Sequence, residues 1–362
     1  MELALVSMLL LGASLPLFAS FGGSAAEDPP DPDADRQRTT DDEEAEAPPD
    51  ILTFAADDDP AATSDAAGAD GKQPPGDAGG PGNDTLTGTG DDVVRGRSGD
   101  DSLMGFDNAV VWGGKGDDRI TIESNWDVDQ DMPMAHGGQG NDTMWSAGGR
   151  AVLLGDRGDD CLIVEDGAVG NGGRGDDVIA ASGGASGFGG RGADLMTGHD
   201  DGTVWGGAGD DSLDAYTSGT ANGGSGDDTI RVSAGGYPHK GFGSDADGGD
   251  GDDTIWIGPD CRAQGGEGSD TFSVWATDPA NSDFPVSDVT ISDFDVTVDR
   301  LLIQVNRPVA AFTLTETPFG TTAFVETEPA GTSLQTEGIR IFLPGAAGLD
   351  RADFEIVVNP AA

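Results

Sequence analysis

Residues 172–231 carry one phrase four times at an interval of 17: Gly172-Gly173-Arg174-Gly175-Asp176-Asp177, Gly189-Gly190-Arg191-Gly192-Ala193-Asp194, Gly206-Gly207-Ala208-Gly209-Asp210-Asp211 and Gly223-Gly224-Ser225-Gly226-Asp227-Asp228. Two residues after each final Asp stands a large apolar residue, Ile179, Met196, Leu213 or Ile230. The unit is G-G-x-G-x-D-x-U-x, with U apolar. A Gly/Asp-rich linker would not hold the apolar position in register, and every copy here does.

Working outward, complete copies begin at Gly79, Gly113, Gly137, Gly172, Gly189, Gly206, Gly223, Gly248 and Gly265, and imperfect copies end at Asp92, Asp101 and Asp160. The U position is apolar throughout: Leu86, Val94, Leu103, Ile120, Met144, Leu162, Ile179, Met196, Leu213, Ile230, Ile255 and Phe272. Three glycines in four positions predict a sharp turn with positive φ, which only Gly adopts cheaply. The x-U-x that follows predicts a very short strand with one side chain pointing inward. An Asp carboxylate beside exposed loop carbonyls offers several hard oxygens, which suits Ca²⁺. The candidate ligands are Asp84, Asp92, Asp101, Asp118, Asp142, Asp160, Asp177, Asp194, Asp211, Asp228, Asp253 and Asp270.

The nonapeptide resembles the calcium-binding repeat of the RTX, or hemolysin-type, protein family. The resemblance covers roughly residues 79–300 and implies calcium binding and secretion. In that family each ion sits between successive loops of one edge.

Spacing refines the expectation. After Asp101 most steps between ligands are 17 or 18 residues, two half-turns of 8 or 9. Only one half-turn of each coil keeps the loop motif. The other carries, next to its last position, Gly170, Gly187, Val204, Ala221 and Ala263, mostly small. One row of strands thus sends in large side chains and the other small ones. The predicted fold is all-β: a parallel β-roll or β-helix solenoid with one calcium-binding edge, followed by a small β-rich C-terminal cap. Eleven of the aspartates fall on one edge; Asp92, 8 after Asp84 and 9 before Asp101, falls on the other. Eleven loops leave ten gaps, so on the order of ten ions are expected.

Two steps are longer, 24 from Asp118 to Asp142 and 25 from Asp228 to Asp253, and should bulge from the degenerate edge. The first bulge holds Asp127, Asp129 and Asp131, but Met132 and Gly138 stand where an EF-hand needs Gly and Glu. Arg157-Gly158-Asp159 and Arg174-Gly175-Asp176 spell an adhesion tripeptide, which the repeat itself explains.

The domain reading is a hydrophobic signal or anchor at 1–21, a disordered acidic Pro/Ala-rich linker at 22–78, the repeat array at 79–273 and the cap at 274–362. Residues 3–21 are almost wholly apolar, with no Lys or Arg before them, and suit either a cleaved secretion signal or a retained span contacting the membrane. Residues 27–70 hold sixteen Asp/Glu against Arg36 and Arg38, with Ile51–Phe54 the one apolar cluster. Six alternating runs after residue 285 predict the cap strands. Ile291-Ser292-Asp293-Phe294-Asp295 and Asp299-Arg300-Leu301 resemble the closing segment of RTX proteins and serralysin-type proteases. Asp353–Val358 resembles the family's C-terminal signal for its secretion machinery.

The chain has 362 residues, 60 of them Gly, and a formal net charge of −49. That sign excludes nucleic acid and anionic membrane as natural partners. His136, His199 and His239 stand apart, and no H-E-x-x-H, G-x-S-x-G or G-K-[ST] motif occurs. The array and cap leave no stretch for a catalytic domain. Three readings follow: a non-enzymatic, secreted or surface-tethered calcium-binding roll; an adhesin or polysaccharide-binding surface protein using calcium as scaffold; and a divergent polysaccharide-modifying enzyme. Cys161 and Cys261 lie five coils apart, roughly 24 Å at a strand spacing of about 4.8 Å, too far for a disulfide.

Overall fold

A computed structural model describes residues 78–124, 132–234, 243–275, 286–328 and 337–359. The apolar segment 3–21, the Ile51–Phe54 cluster and both long bulges lie outside the described residues. Among the described residues no helix is long and apolar enough to cross a membrane.

The chain winds through two sheets, of 13 and 14 strands, and through the array each step along either sheet skips one strand in sequence. The strands that follow the motif Asp, such as Val178–Ser182 and Leu195–His199, make the first, here the motif sheet. The strands that return to the next loop, such as Val169–Arg174 and Ser186–Arg191, make the second, the return sheet. Pairing through the array is parallel and in register by one repeat: Ile179 lies beside Met196, and Gly170 beside Gly187. The all-β parallel roll is therefore the fold.

The core lies between the sheets. From the motif sheet come Leu103, Ile120, Met144, Leu162, Ile179, Met196, Leu213, Ile230, Ile255 and Phe272, all buried. The return sheet faces them with Val94, Val111, Ala135, Leu153, Val204, Ala221, Ala246 and Ala263. Large meets small at Ala135, Ala221, Ala246 and Ala263, while Val94, Val111, Leu153 and Val204 fill the interior on the other coils. At Gly187 the fit is close: a Cβ there would stand 2.8 Å from Ile179 Cγ2. The 24- and 25-residue steps leave this register intact, because Arg119 pairs with Thr143 and Thr229 with Thr254.

The six expected cap strands are present, at Val286–Ile291, Arg300–Val305, Val309–Thr317, Gly320–Thr327, Glu337–Pro344 and Phe354–Val358. Two of them extend the motif sheet and four the return sheet. The return sheet ends in antiparallel pairs. Phe312, on its last strand, meets Phe354 of the motif sheet at 5.3 Å between ring centroids, with the Arg351 guanidinium over the Phe312 ring. The two sheets are thereby joined across the end of the roll, where a solenoid otherwise exposes apolar surface.

Candidate metal centre

The loop glycines divide their work differently from the sequence expectation. From Gly113 onward the second and third glycines of each complete motif do take positive φ, +108° at Gly173 and +131° at Gly175. The first does not, and it lies within the return strand. Its smallness makes room instead. A Cβ on Gly189 would collide with Asp194 Oδ2 and stand 2.5 Å from the carbonyl oxygen of Gly206 in the next coil. The space left by the absent side chain is where a carboxylate oxygen and a backbone carbonyl converge. Arg97 and Asp156 hold the second position at φ 83° and 73°, so its left-handed backbone persists without Gly.

The motif aspartates stack into one ladder. Asp101 donates its backbone N–H to Asp118 Oδ1 at 2.8 Å, and the same bond recurs at 2.7–3.0 Å from Asp84 through Asp270. It continues into the cap, where Asp270 donates to Asp299 Oδ1 at 3.0 Å. Oδ1 is thus spoken for at each rung. Oδ2 is buried without a hydrogen-bond partner in Asp101, Asp118, Asp142, Asp160, Asp177, Asp194, Asp211, Asp228 and Asp253.

Burial raises these carboxyls, and neighbouring carboxylates add to it, while the backbone N–H from the previous rung opposes the rise. Asp142 and Asp177 are pushed up to about 8. Asp160, Asp228 and Asp253 reach about 7, and Asp118, Asp194 and Asp211 about 6. A column of buried, unpartnered anionic oxygens is costly in isolation. A hard divalent cation removes that cost, and the donor set of carboxylate and backbone carbonyl oxygens fits Ca²⁺. Among the described residues no three His, Cys, Asp or Glu side chains converge. The Gly206 carbonyl, which converges with Asp194 Oδ2 beside Gly189, shows how a backbone oxygen joins the carboxylate in the donor set.

A family model described as the RTX calcium-binding nonapeptide repeat, in four copies, matches residues 78–103, 136–168 and 203–217. The chain carries RTX repeats. These RTX nonapeptide repeats bind calcium ions. Among the curated proteins none matches the chain.

Of the sequence-nominated aspartates, eleven stand in the RTX ladder. Asp84, at its start, turns Oδ2 to the Gly80 N–H at 2.6 Å. Asp92 stands apart: on the opposite turn its Oδ2 accepts the Thr89 N–H at 2.9 Å, and it joins no ladder. Two acidic groups were not nominated. Asp299 extends the ladder, and Asp293 accepts the N–H groups of Gly265 and Gly266 at 3.0 and 2.8 Å. Their signal was present in the Asp299-Arg300-Leu301 phrase, since Leu301 pairs with Phe272 as the next inward residue.

A second ladder runs beside the first in the opposite sense, built by the residue preceding each motif Asp. Asp117 donates its N–H to Asp100 Oδ1, and Asp176 to Asp159 Oδ1, at 3.1 and 3.0 Å. Asn83 and Asn141 serve equally as acceptors. Ala193 accepts nothing onward, and the ladder resumes at Asp210.

Proposed function

We propose that this chain is a non-enzymatic, extracellular RTX protein whose roll folds when it meets calcium outside the cell, using all of the ladder aspartates as ligands. The supporting observation is the run of buried, unpartnered Oδ2 atoms at consecutive rungs. Without cations these charges oppose closure of a core that is only two side chains thick, and chain entropy is not offset. Extracellular modules bind calcium at about 10⁻⁴–10⁻³ M, so the array stays open in cytosol and closes after export.

The domain division at residues 79 and 274, the N-terminal signal or anchor, the C-terminal secretion signal and the ladder as a set of ligands belong to this proposal. Circular dichroism during a calcium titration tests it. A strand-rich spectrum in excess chelator would sink the idea that calcium drives folding.

A further inference from the structure

The third residue of each loop motif sits at the solvent end of a return strand, and these residues form one column across the sheet. Over five consecutive coils the column reads Lys115, Gln139, Arg157, Arg174, Arg191. Arg174 lies directly between Arg157 and Arg191, so three guanidiniums occupy adjacent rungs about 4.8 Å apart. Like charges directly opposite each other destabilise a sheet. The fold does not demand them, because other coils place Ser98, Ala208 or Ser225 there. They occur in a chain with 18 basic residues against 67 acidic ones.

Arg174 and Arg191 do not simply neutralise the neighbouring acidic ladder. Asp159 and Asp176 direct Oδ1 to backbone N–H groups. Among the described residues Arg174 and Arg191 form no ion pair, and both are exposed.

The adjacent outward column narrows the partner. Trp112 stacks on His136 with centroids 3.9 Å apart and planes 1° from parallel, and Phe188 stacks on Trp205 at 4.5 Å and 5°. The stacked partners are register neighbours along the sheet, so each of these rings has one face covered by the next rung. Bases of single-stranded nucleic acid need exposed ring faces to stack on, as does a neutral sugar that binds by its apolar face. A sugar chain bearing carboxylates needs neither. It needs evenly spaced guanidiniums, which bind carboxylate by two parallel hydrogen bonds, and polar groups such as Asn171 beside them for its hydroxyls.

We infer that the outer face of the return sheet between Lys115 and Arg191 binds an extended acidic polysaccharide of the polyuronate class, lying along the roll axis. This goes beyond calcium-driven folding and depends on it only in requiring the folded roll. With a screening length of about 8 Å at physiological salt, the site feels its own column more than the distant net charge. Calcium in the adjacent edge neutralises the nearest carboxylates.

The test is calorimetric titration of the full chain, in calcium buffer, with oligogalacturonate, with neutral maltooligosaccharide and with poly(A). Circular dichroism of the same samples separates unfolded protein from a folded roll that does not bind. Binding of oligogalacturonate alone is expected, weakening as salt rises. The double variant Arg174→Gln/Arg191→Gln should weaken it about tenfold or more, the equivalent of about 1.4 kcal/mol. Arg231→Gln, on the motif sheet beside Asp214, should leave it unchanged. A folded wild type that ignores oligogalacturonate, an undiminished double variant, or equal binding of maltooligosaccharide or poly(A) would overturn the inference.

Discussion

The backbone N–H of Asp211 donates to Asp228 Oδ1 at 2.7 Å and leaves Asp228 Oδ2 buried with no partner. Asp211 in turn receives the N–H of Asp194. Each ladder aspartate therefore fastens one coil to the next through one oxygen and offers the other for a cation shared between coils. Replacing Asp211 by Asn keeps the accepting oxygen and the shape but removes the charge. It should raise the calcium concentration at the folding midpoint roughly tenfold, the equivalent of about 1.4 kcal/mol at one site. Asp201 is the matched control: it lies on the opposite turn at φ 67°, a conformation Asn tolerates well. Asp201→Asn should leave the midpoint in place. Equal shifts in the two titrations would mean that calcium does not line one edge.

The raised carboxyls set a pH dependence for the calcium-free chain. A carboxyl whose folded value lies above its ordinary 3.8 favours the folded state while it is protonated. That contribution is complete below about 3.8 and is lost as pH rises through the folded values, about 6 for Asp194 and about 8 for Asp177. Calcium-free protein should therefore show more strand at pH 5 than at pH 8, by circular dichroism in calcium-depleted buffer. Calcium competes with these protons, so its apparent affinity should increase over the same interval. More strand at pH 8 than at pH 5 without calcium would contradict the burial of these groups.

The roll was legible because its determinants are periodic. The inward rows, Ile179 beside Met196 and Gly170 beside Gly187, follow from the 17-residue spacing alone. The cap strands were legible because Phe354 to Val358 and its fellows alternate. The first Gly reads in sequence as a turn residue, since sequence does not distinguish a residue needed for φ from one needed for space. Asp299 was passed over because no glycine loop precedes it. It reaches the ladder from a cap segment whose position depends on folding, with Asp270 donating across 29 residues. The second ladder was invisible for a similar reason: its Asp and Asn residues fill a variable position, and only stacking shows that their side chains accept bonds.

That second ladder has a gap to fill. Ala193 gives its N–H to Asp176 Oδ1 but offers no acceptor to the coil of Asp210. The site is exposed, so a larger side chain has room. Asn141 shows that an amide serves there without added charge, since it accepts the N–H of Asp159 at 3.0 Å. Ala193→Asn should stabilise the calcium-loaded roll by about 0.5–1.5 kcal/mol, the usual net value of one hydrogen bond. Chemical denaturation at saturating calcium measures it. A lower denaturation midpoint in the variant would show that the ladder is incidental.

Cys161 and Cys261 report on the closing of the roll. Both are free thiols, Cys161 half-buried at the start of Cys161–Glu165 and Cys261 buried just before Arg262–Glu267. Burial pushes the Cys261 thiol up to about 12 and raises that of Cys161 as well. The thiolate is the reactive form, so both groups should resist alkylation in calcium at neutral pH, and Cys261 the more strongly. Removing calcium should expose them together and bring their alkylation rates close to one another. Peptide mass spectrometry after timed iodoacetamide treatment reads each rate separately. Rapid labelling of Cys261 in calcium-loaded protein, or a crosslink between the two cysteines within one chain, would be incompatible with the stacked coils that separate them.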